Sequence, residues 1–237
     1  MTAALLIVFV ASVVQTSSGI GLGMVAAPLL FLIDPILVPG PILLLSLLVS
    51  ILAAVRERHA IDYRGLSVAL SGRIPGTVLA GLTISLIPVA AFGLIFGVLV
   101  LLAVLISVFA GKIAPTPKVL LPAGFISGYM GTLTSIGAPP MALAYQHGSA
   151  ATIRSTMATY FVIGAALSLV TLAWFDKFGR EEVVASIVFM PALVAGFWTS
   201  NFVVRHLHGD RVRQVLLGLC AIASVILIVK SWIALYA

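Results

Sequence analysis

The sequence predicts an all-α integral membrane protein of about eight transmembrane helices, and three observations carry that reading. Of its 237 residues, 62% are hydrophobic and only 8% are Asp, Glu, Lys or Arg, against about 25% charged in an ordinary soluble domain. Thirteen basic and seven acidic side chains cannot cover the surface that a soluble domain of this length leaves in water, so lipid is the outer solvent. The apolar runs have the length of about 20 residues that a bilayer core of about 30 Å requires. They also lack the strict alternation of barrel strands, so helices are preferred over strands.

Cutting the chain at charges and at Pro and Gly clusters places the spans near residues 3–33, 36–55, 66–86, 89–110, 119–146, 151–174, 182–205 and 211–235. Together they form a single transmembrane domain over 1–237, with one half near 3–110 and the other near 119–235. The first run lacks the basic n-region of a signal peptide, since Met1-Thr2-Ala3-Ala4 has no Lys or Arg, and it is too long for an h-region. It is therefore kept as a span. The net charge of +6 is scattered between apolar runs rather than gathered with aromatics on one stripe, so no nucleic-acid partner is expected. Cys220 is the only cysteine, which excludes a disulfide framework or a Cys-based metal site within one chain.

The first and fifth spans exceed one crossing, and both carry helix breakers. The first holds Ser17-Ser18-Gly19-Ile20-Gly21-Leu22-Gly23 and then Pro28, and the fifth holds Thr134-Ser135-Ile136-Gly137-Ala138-Pro139-Pro140. Gly loses the most backbone entropy in a helix, and Pro removes a donor and clashes with the preceding turn, so these segments are expected as broken helices or re-entrant pairs. Laying Gly21 on Gly137 gives an offset of 137 − 21 = 116, which also puts Arg64 on Arg180 and Pro75 on Pro191. Such matches of scarce residue types point to a duplicated four-helix unit. An even number of spans per unit makes the repeat parallel.

With eight spans, Arg56, Arg58, Arg64, Lys112, Lys118, Lys177 and Arg180 fall on one side, with Lys230 near it, and Arg154, Arg205, Arg211 and Arg213 fall on the other. The first side is expected to be cytoplasmic, with both termini there.

Interrupted helices at corresponding positions of two halves are the best sequence pointer to a transporter's binding site. Backbone N–H groups freed inside a bilayer need partners, and with the helix dipole they make an anion site. The candidate substrate-binding residues beside the breaks are Thr16, Ser17, Ser18, Gly19, Gly21, Gly23, Thr134, Ser135, Gly137, Ala138 and Pro139. The alternative is that these small residues only allow close helix crossing. Arg73 joins the candidates because it lies well inside an apolar span, where a charge costs at least ~2.5–3.5 kcal/mol and should face a cavity. Its forked donors suit sulfonate, sulfite or carboxylate oxygens, whereas snorkelling or bonding to carbonyls freed by Pro75 is the structural alternative. The repeat places Phe189 opposite it, so a cationic site is asymmetric.

No Asp or Glu lies within a span, apart from end positions such as Asp34, and His147 and His206 fall near span ends. No zinc motif or nucleophile-base pairing is recognisable, so neither an enzyme activity nor a metal or cofactor is expected. The Gly19-Ile20-Gly21-Leu22-Gly23 run has no βαβ unit around it and is not a dinucleotide loop.

The segments from Gly19 to Pro28-Leu29 and from Ile136 to Pro140, with Pro75-Gly76 in the third span, resemble the sulfite exporter TauE/SafE family, also called the toluene sulfonate uptake permease family. The resemblance extends over nearly the whole chain, with Leu22 and Ala138 where the family usually has Gly. It implies a secondary transporter of the inner membrane for a small sulfur-containing anion such as sulfite, a sulfonate or sulfoacetate. A channel-like permease for another small anion and a non-transporting scaffold remain the alternatives. The expected partners are a small anionic substrate and the lipid bilayer, with self-association into a homo-oligomer left open.

Overall fold

The computed structural model describes residues 2–18, 22–56, 58–109, 114–145, 149–203 and 209–236. Among them are ten α-helices and no strand: α1 (Thr2–Ser18), α2 (Leu22–Ile33), α3 (Gly40–Arg56), α4 (Tyr63–Leu86), α5 (Val89–Phe109), α6 (Pro117–Thr134), α7 (Ala138–Tyr145), α8 (Ala150–Trp174), α9 (Arg180–Val203) and α10 (Gly209–Tyr236). Their boundaries follow local signals. Asp62 caps α4 by accepting from the Gly65 N–H at 3.0 Å, and Ser149 caps α8 by accepting from Thr152 N–H at 3.1 Å. At the end of α6, Ser135 turns the chain in the left-handed region with φ 63°.

Helix α6 ends at Thr134, inside the second Gly and Pro cluster, and helix resumes at Ala138; α1 ends at Ser18 and α2 begins at Leu22, with residues 19–21 outside the described residues. What lies beyond each break differs from a single crossing. Gly137 sits beside Ser127, whose hydroxyl donates to the Gly137 carbonyl at 2.6 Å, so the chain doubles back alongside α6. Farther along α7, Met141, Ala144 and Tyr145 share a core cluster with Leu120 and Ala123 of early α6. At the first break the Leu22 N–H donates to the Gln15 side chain. In a continuous helix, residues seven apart would be separated by ~10.5 Å along the axis, beyond the reach of that amide.

Six helices of the described residues are long and apolar enough to cross a membrane: α3, α4, α5, α8, α9 and α10. Against the eight spans expected, α1, α2, α6 and α7 do not meet that length and apolarity among the described residues.

Specific contacts set the directions of the helices. Along α4 and α6, a Cβ at Gly72 would overlap the Leu121 carbonyl, one at Gly76 that of Phe125, and one at Gly124 that of Ala69. Numbers rise together, so α4 and α6 run in the same direction, backbone against backbone, as small-xxx-small pairs allow. Their starts lie on the face marked by Asp62, where Tyr145 Oη at the end of α7 donates to the Asp62 carboxylate at 3.2 Å and the Asp62 N–H donates to Thr156 Oγ1 of early α8 at 2.9 Å. The opposite face is marked by Phe178, against which the start of α3 packs at Gly40, and by Phe175, against which late α4 packs at Gly81. On α5 and α10, Gly93 faces Ser231 and Gly97 faces Ser224 and Ile228, so those two helices are antiparallel.

The main core joins α1, α2, α3, α5, α9 and α10, including a stack of Phe31 on Phe96 with centroids 4.4 Å apart. Lipid-facing surfaces are apolar, with Leu86, Phe109, Trp174 and Trp198 exposed.

A Gly72→Ala variant should lower the melting temperature in detergent, because the added methyl must push two backbones apart at a cost of about 1–3 kcal/mol or more. Gly218→Ala, with open space around its Cβ, should melt at or above the parent temperature, since Ala favours helix by up to ~1 kcal/mol over Gly.

Candidate functional site

The parallel contact between α4 and α6 carries Arg73 inward. Its side chain is only 2% exposed and lies roughly halfway along α4. Nη1 donates to Ser127 Oγ at 3.2 Å, and that hydroxyl in turn donates to Gly137 O. The guanidinium lies over the ring of Tyr160, with Cζ 4.9 Å from the centroid, a cation–π contact of the kind that gains strength when desolvated. Gly164 of α8 leaves the space the group occupies, since a Cβ there would overlap Cζ and Nε. Among the described residues Nε has no hydrogen-bond partner, nor has the buried hydroxyl of Tyr160. Among the described residues no carboxylate is paired with Arg73. A buried guanidinium satisfied at one nitrogen and lacking an anion is expensive to keep, which makes this position a strong pointer to a ligand.

Arg73 lines a cavity of about 40 Å³, on a scale where a single buried water needs ~10–15 Å³. The cavity therefore suits a ligand of a few heavy atoms. Its walls come from both fold-backs and from the helices between them. The first fold-back supplies Gln15, Leu22, Gly23 and Met24; the second supplies Gly131, Ser135, Ile136, Gly137 and Ala138. Ser46 and Ser50 of α3 and Phe161 and Ala165 of α8 complete the lining, together with Leu43. The two fold-backs touch directly, for a Cβ at Gly23 would overlap the Ser135 carbonyl. Glycine is required there by this close approach. A second polar ladder, Thr77–Thr132–Ser168, lies in the buried interior, with the Thr132 and Ser168 hydroxyls 2.8 Å apart.

The structure separates the sequence candidates. Gly23, Arg73, Ser135, Gly137 and Ala138 line the cavity. Ser135 spends its hydroxyl on Pro39 O at 3.0 Å. Thr16 and Thr134 face elsewhere. Thr16 Oγ1 donates to Ser12 O at 2.9 Å, and Thr134 Oγ1 donates to Met130 O at 2.7 Å while accepting from Ile136 N–H at 3.2 Å, so each satisfies local backbone. Pro139 is buried in the first turn of α7, where a missing N–H costs little, and does not reach the cavity. Ser17 and Ser18 close α1, and Gly19 and Gly21 lie outside the described residues, as do His147 and His206. Phe189, displaced by 116 residues from Arg73, is buried in the main apolar core.

Sequence reading missed Gln15, Ser46, Ser50, Ser127, Tyr160 and Gly164. One signal was available. Ser46 and Ser50 are the polar residues of the apolar run 40–55 and stand one helical turn apart, hence on one face.

An all-helical, multi-pass protein with a buried cation beside a cavity between two interrupted segments has the make-up of a membrane transporter. The chain belongs to the sulfite exporter TauE/SafE family, a family of membrane transporters, whose model matches residues 4–227. No curated protein and no solved structure matches the chain.

Removing the Ser127 hydroxyl should show how far the site supports itself. Ser127→Ala leaves Nη1 and the Gly137 carbonyl without their partners, so unfolding in detergent should become easier by about 1–3 kcal/mol.

Proposed function

We propose that the chain is a secondary transporter that binds a small sulfur-containing oxyanion, such as sulfite, a sulfonate or sulfoacetate, at Arg73 between the two fold-backs. The observation that carries this reading is the buried guanidinium in the cavity wall, with no carboxylate paired to it among the described residues. Apolar side chains such as Leu22, Met24, Leu43, Ile136 and Phe161 make up much of the lining, and a charge-assisted hydrogen bond gains strength in such surroundings. Family membership supports the substrate class.

The fold-backs act as re-entrant hairpins, each starting and ending on one face, and three crossings per half remain: α3, α4 and α5, then α8, α9 and α10. An odd number inverts the second half relative to the first. The parallel four-helix reading therefore gives way to an inverted repeat, in which α4 packs on α6 as α9 packs on α1, and α2 on α10 as α7 on α5. Such halves can exchange conformations around a central site, as alternating access requires.

Inversion also rearranges the charges. The Asp62 face gathers Arg56, Arg58, Arg64, Lys118, Arg154, Arg211 and Arg213 at helix ends, while the Phe178 face has Lys177, Arg180 and, near the end of α10, Lys230. By the positive-inside rule the Asp62 face is cytoplasmic. Thr2 and Tyr236 then lie on the outer side of an inner membrane, the reverse of the orientation that eight crossings imply.

Sulfite flux into proteoliposomes tests the function. The parent should transport, and Arg73→Gln should lower affinity about 10- to 150-fold, the value of one or two hydrogen bonds to a charge. Folded parent protein without flux would instead favour a scaffold. For the topology, an impermeant maleimide should label Lys177→Cys in intact cells and His59→Cys only after permeabilisation, both in a Cys220→Ser background. The reverse pattern would restore cytoplasmic ends, and labelling of both in intact cells would remove the topology altogether.

A further inference from the structure

Gln15 occupies the place in the first fold-back that Gly131 occupies in the second, 131 − 15 = 116 residues on. At Gly131 the missing side chain leaves room for Arg73, whose Nη2 lies 3.5 Å from where a Cβ would be. At Gln15 a carboxamide enters the same cavity from the other hairpin. The pseudo-symmetry thus gives one pole to each half: a guanidinium and an amide.

The backbone contact of Gln15 assigns the two ends of its amide. The Leu22 N–H can only donate, so the atom it meets on Gln15 is the carbonyl Oε1. The NH2 group is therefore the free end, and among the described residues none accepts from it. The rest of the polar lining is of the same kind. Arg73 has donors only, Ser46 and Ser50 bring hydroxyls, and among the described residues no Asp, Glu or His lines the cavity. A planar carboxylate can be satisfied by the fork of Arg73 alone. A pyramidal group with three acceptor oxygens turns at least one of them away from that fork and needs a donor from another direction.

We propose that Gln15 is a specificity-determining residue, donating through Nε2–H to an oxygen of the anion held by Arg73, so that the site favours the three-oxygen headgroup of sulfite and sulfonates over a carboxylate. This inference rests on the proposed binding of an oxyanion at Arg73. Leu22 fixes the amide, and the ligand replaces the acceptor that its NH2 group lacks.

The test is binding of methanesulfonate and acetate to the purified full chain in detergent, by calorimetry. The parent should prefer methanesulfonate. Gln15→Glu keeps an oxygen for Leu22 N–H but replaces the donor by a carboxylate, so at pH 8 methanesulfonate affinity should fall at least about tenfold with little change in the melting temperature of the empty protein. As pH falls and the new carboxyl takes up a proton it becomes a donor, and affinity should recover, while methanesulfonate itself stays ionised. Gln15→Met, similar in volume and without a donor, should bring the methanesulfonate-to-acetate ratio towards one, which keeps the test open if the Glu variant fails to fold. A parent that binds neither probe would overturn the oxyanion site as a whole. A parent that binds methanesulfonate, with both ratio and pH response unchanged in the variants, would overturn the role of Gln15 alone.

Discussion

The direct backbone contact between α4 and α6 governs what the rest of the molecule can do, because it sets a charged side chain at mid-membrane and surrounds it with protein. Gly72, Gly76, Gly124 and Gly128 let the two helices approach until carbonyls occupy the space of absent side chains. Without an expulsion of water to drive helices together in lipid, van der Waals contact of this closeness is the main cohesive force available. Arg73 sits between Gly72 and Gly76 on α4, so the register that packs the glycines also aims the guanidinium at α6, α8 and the second fold-back. Packing and site are therefore one arrangement, and a shift of one residue along the interface would turn Arg73 away from Ser127.

The fold-backs answer a different requirement. A non-helical turn inside the bilayer is tolerated only where protein or a cavity receives it. Ser135 supplies the turn with a left-handed backbone, Thr134 accepts from the Ile136 N–H, and Ser127 pairs with the Gly137 carbonyl. The Ile136 N–H and the Gly137 carbonyl of this turn thus have protein partners. The proposed anion site accordingly relies on the side chains of Arg73 and Gln15 more than the glycine clusters alone imply.

The all-helical, membrane-spanning class and the interruption after Thr134 were legible in the sequence because they depend on local composition, namely apolar runs and a cluster of Gly and Pro, whereas the number of crossings was not. Whether an interrupted run continues or turns back was not legible. That depends on Ser127 meeting Gly137 and on Gln15 meeting Leu22, contacts that composition does not express. The consequence is large, for one crossing more or less per half changes the parity, hence the repeat symmetry and the side to which Arg154, Arg211 and Arg213 are assigned. Within the site, Arg73 stood out as a lone charge in an apolar span, whereas Ser46, Ser50 and Gln15 are mild residues whose importance depends on which face of a helix borders the cavity. Thr16 and Thr134 were singled out for their hydroxyls, but in a helix a Thr hydroxyl reaches the preceding carbonyls and is readily absorbed there.

The division of labour between the halves follows from the physics of a single charge in a low-dielectric interior. A symmetric repeat with an arginine at both positions would bring two guanidiniums to one small cavity, and like charges that close repel strongly. Phe189 in place of the second cation removes that conflict and fills the main core instead. A carboxylate beside Arg73 would relieve its burial, but it would also compete with every anion that enters. Among the described residues the lining holds no such partner, which under the proposed function leaves the charge available to the substrate. Transport further requires release, and a site built from one cation with neutral donors supplies a moderate attraction that a shift of either hairpin can weaken. Each hairpin holds one polar arm, Gln15 on the first and the Ser127–Gly137 support of Arg73 on the second, so under the proposed alternating access a relative movement of the halves would separate these arms and dismantle the hydrogen bonds of the site.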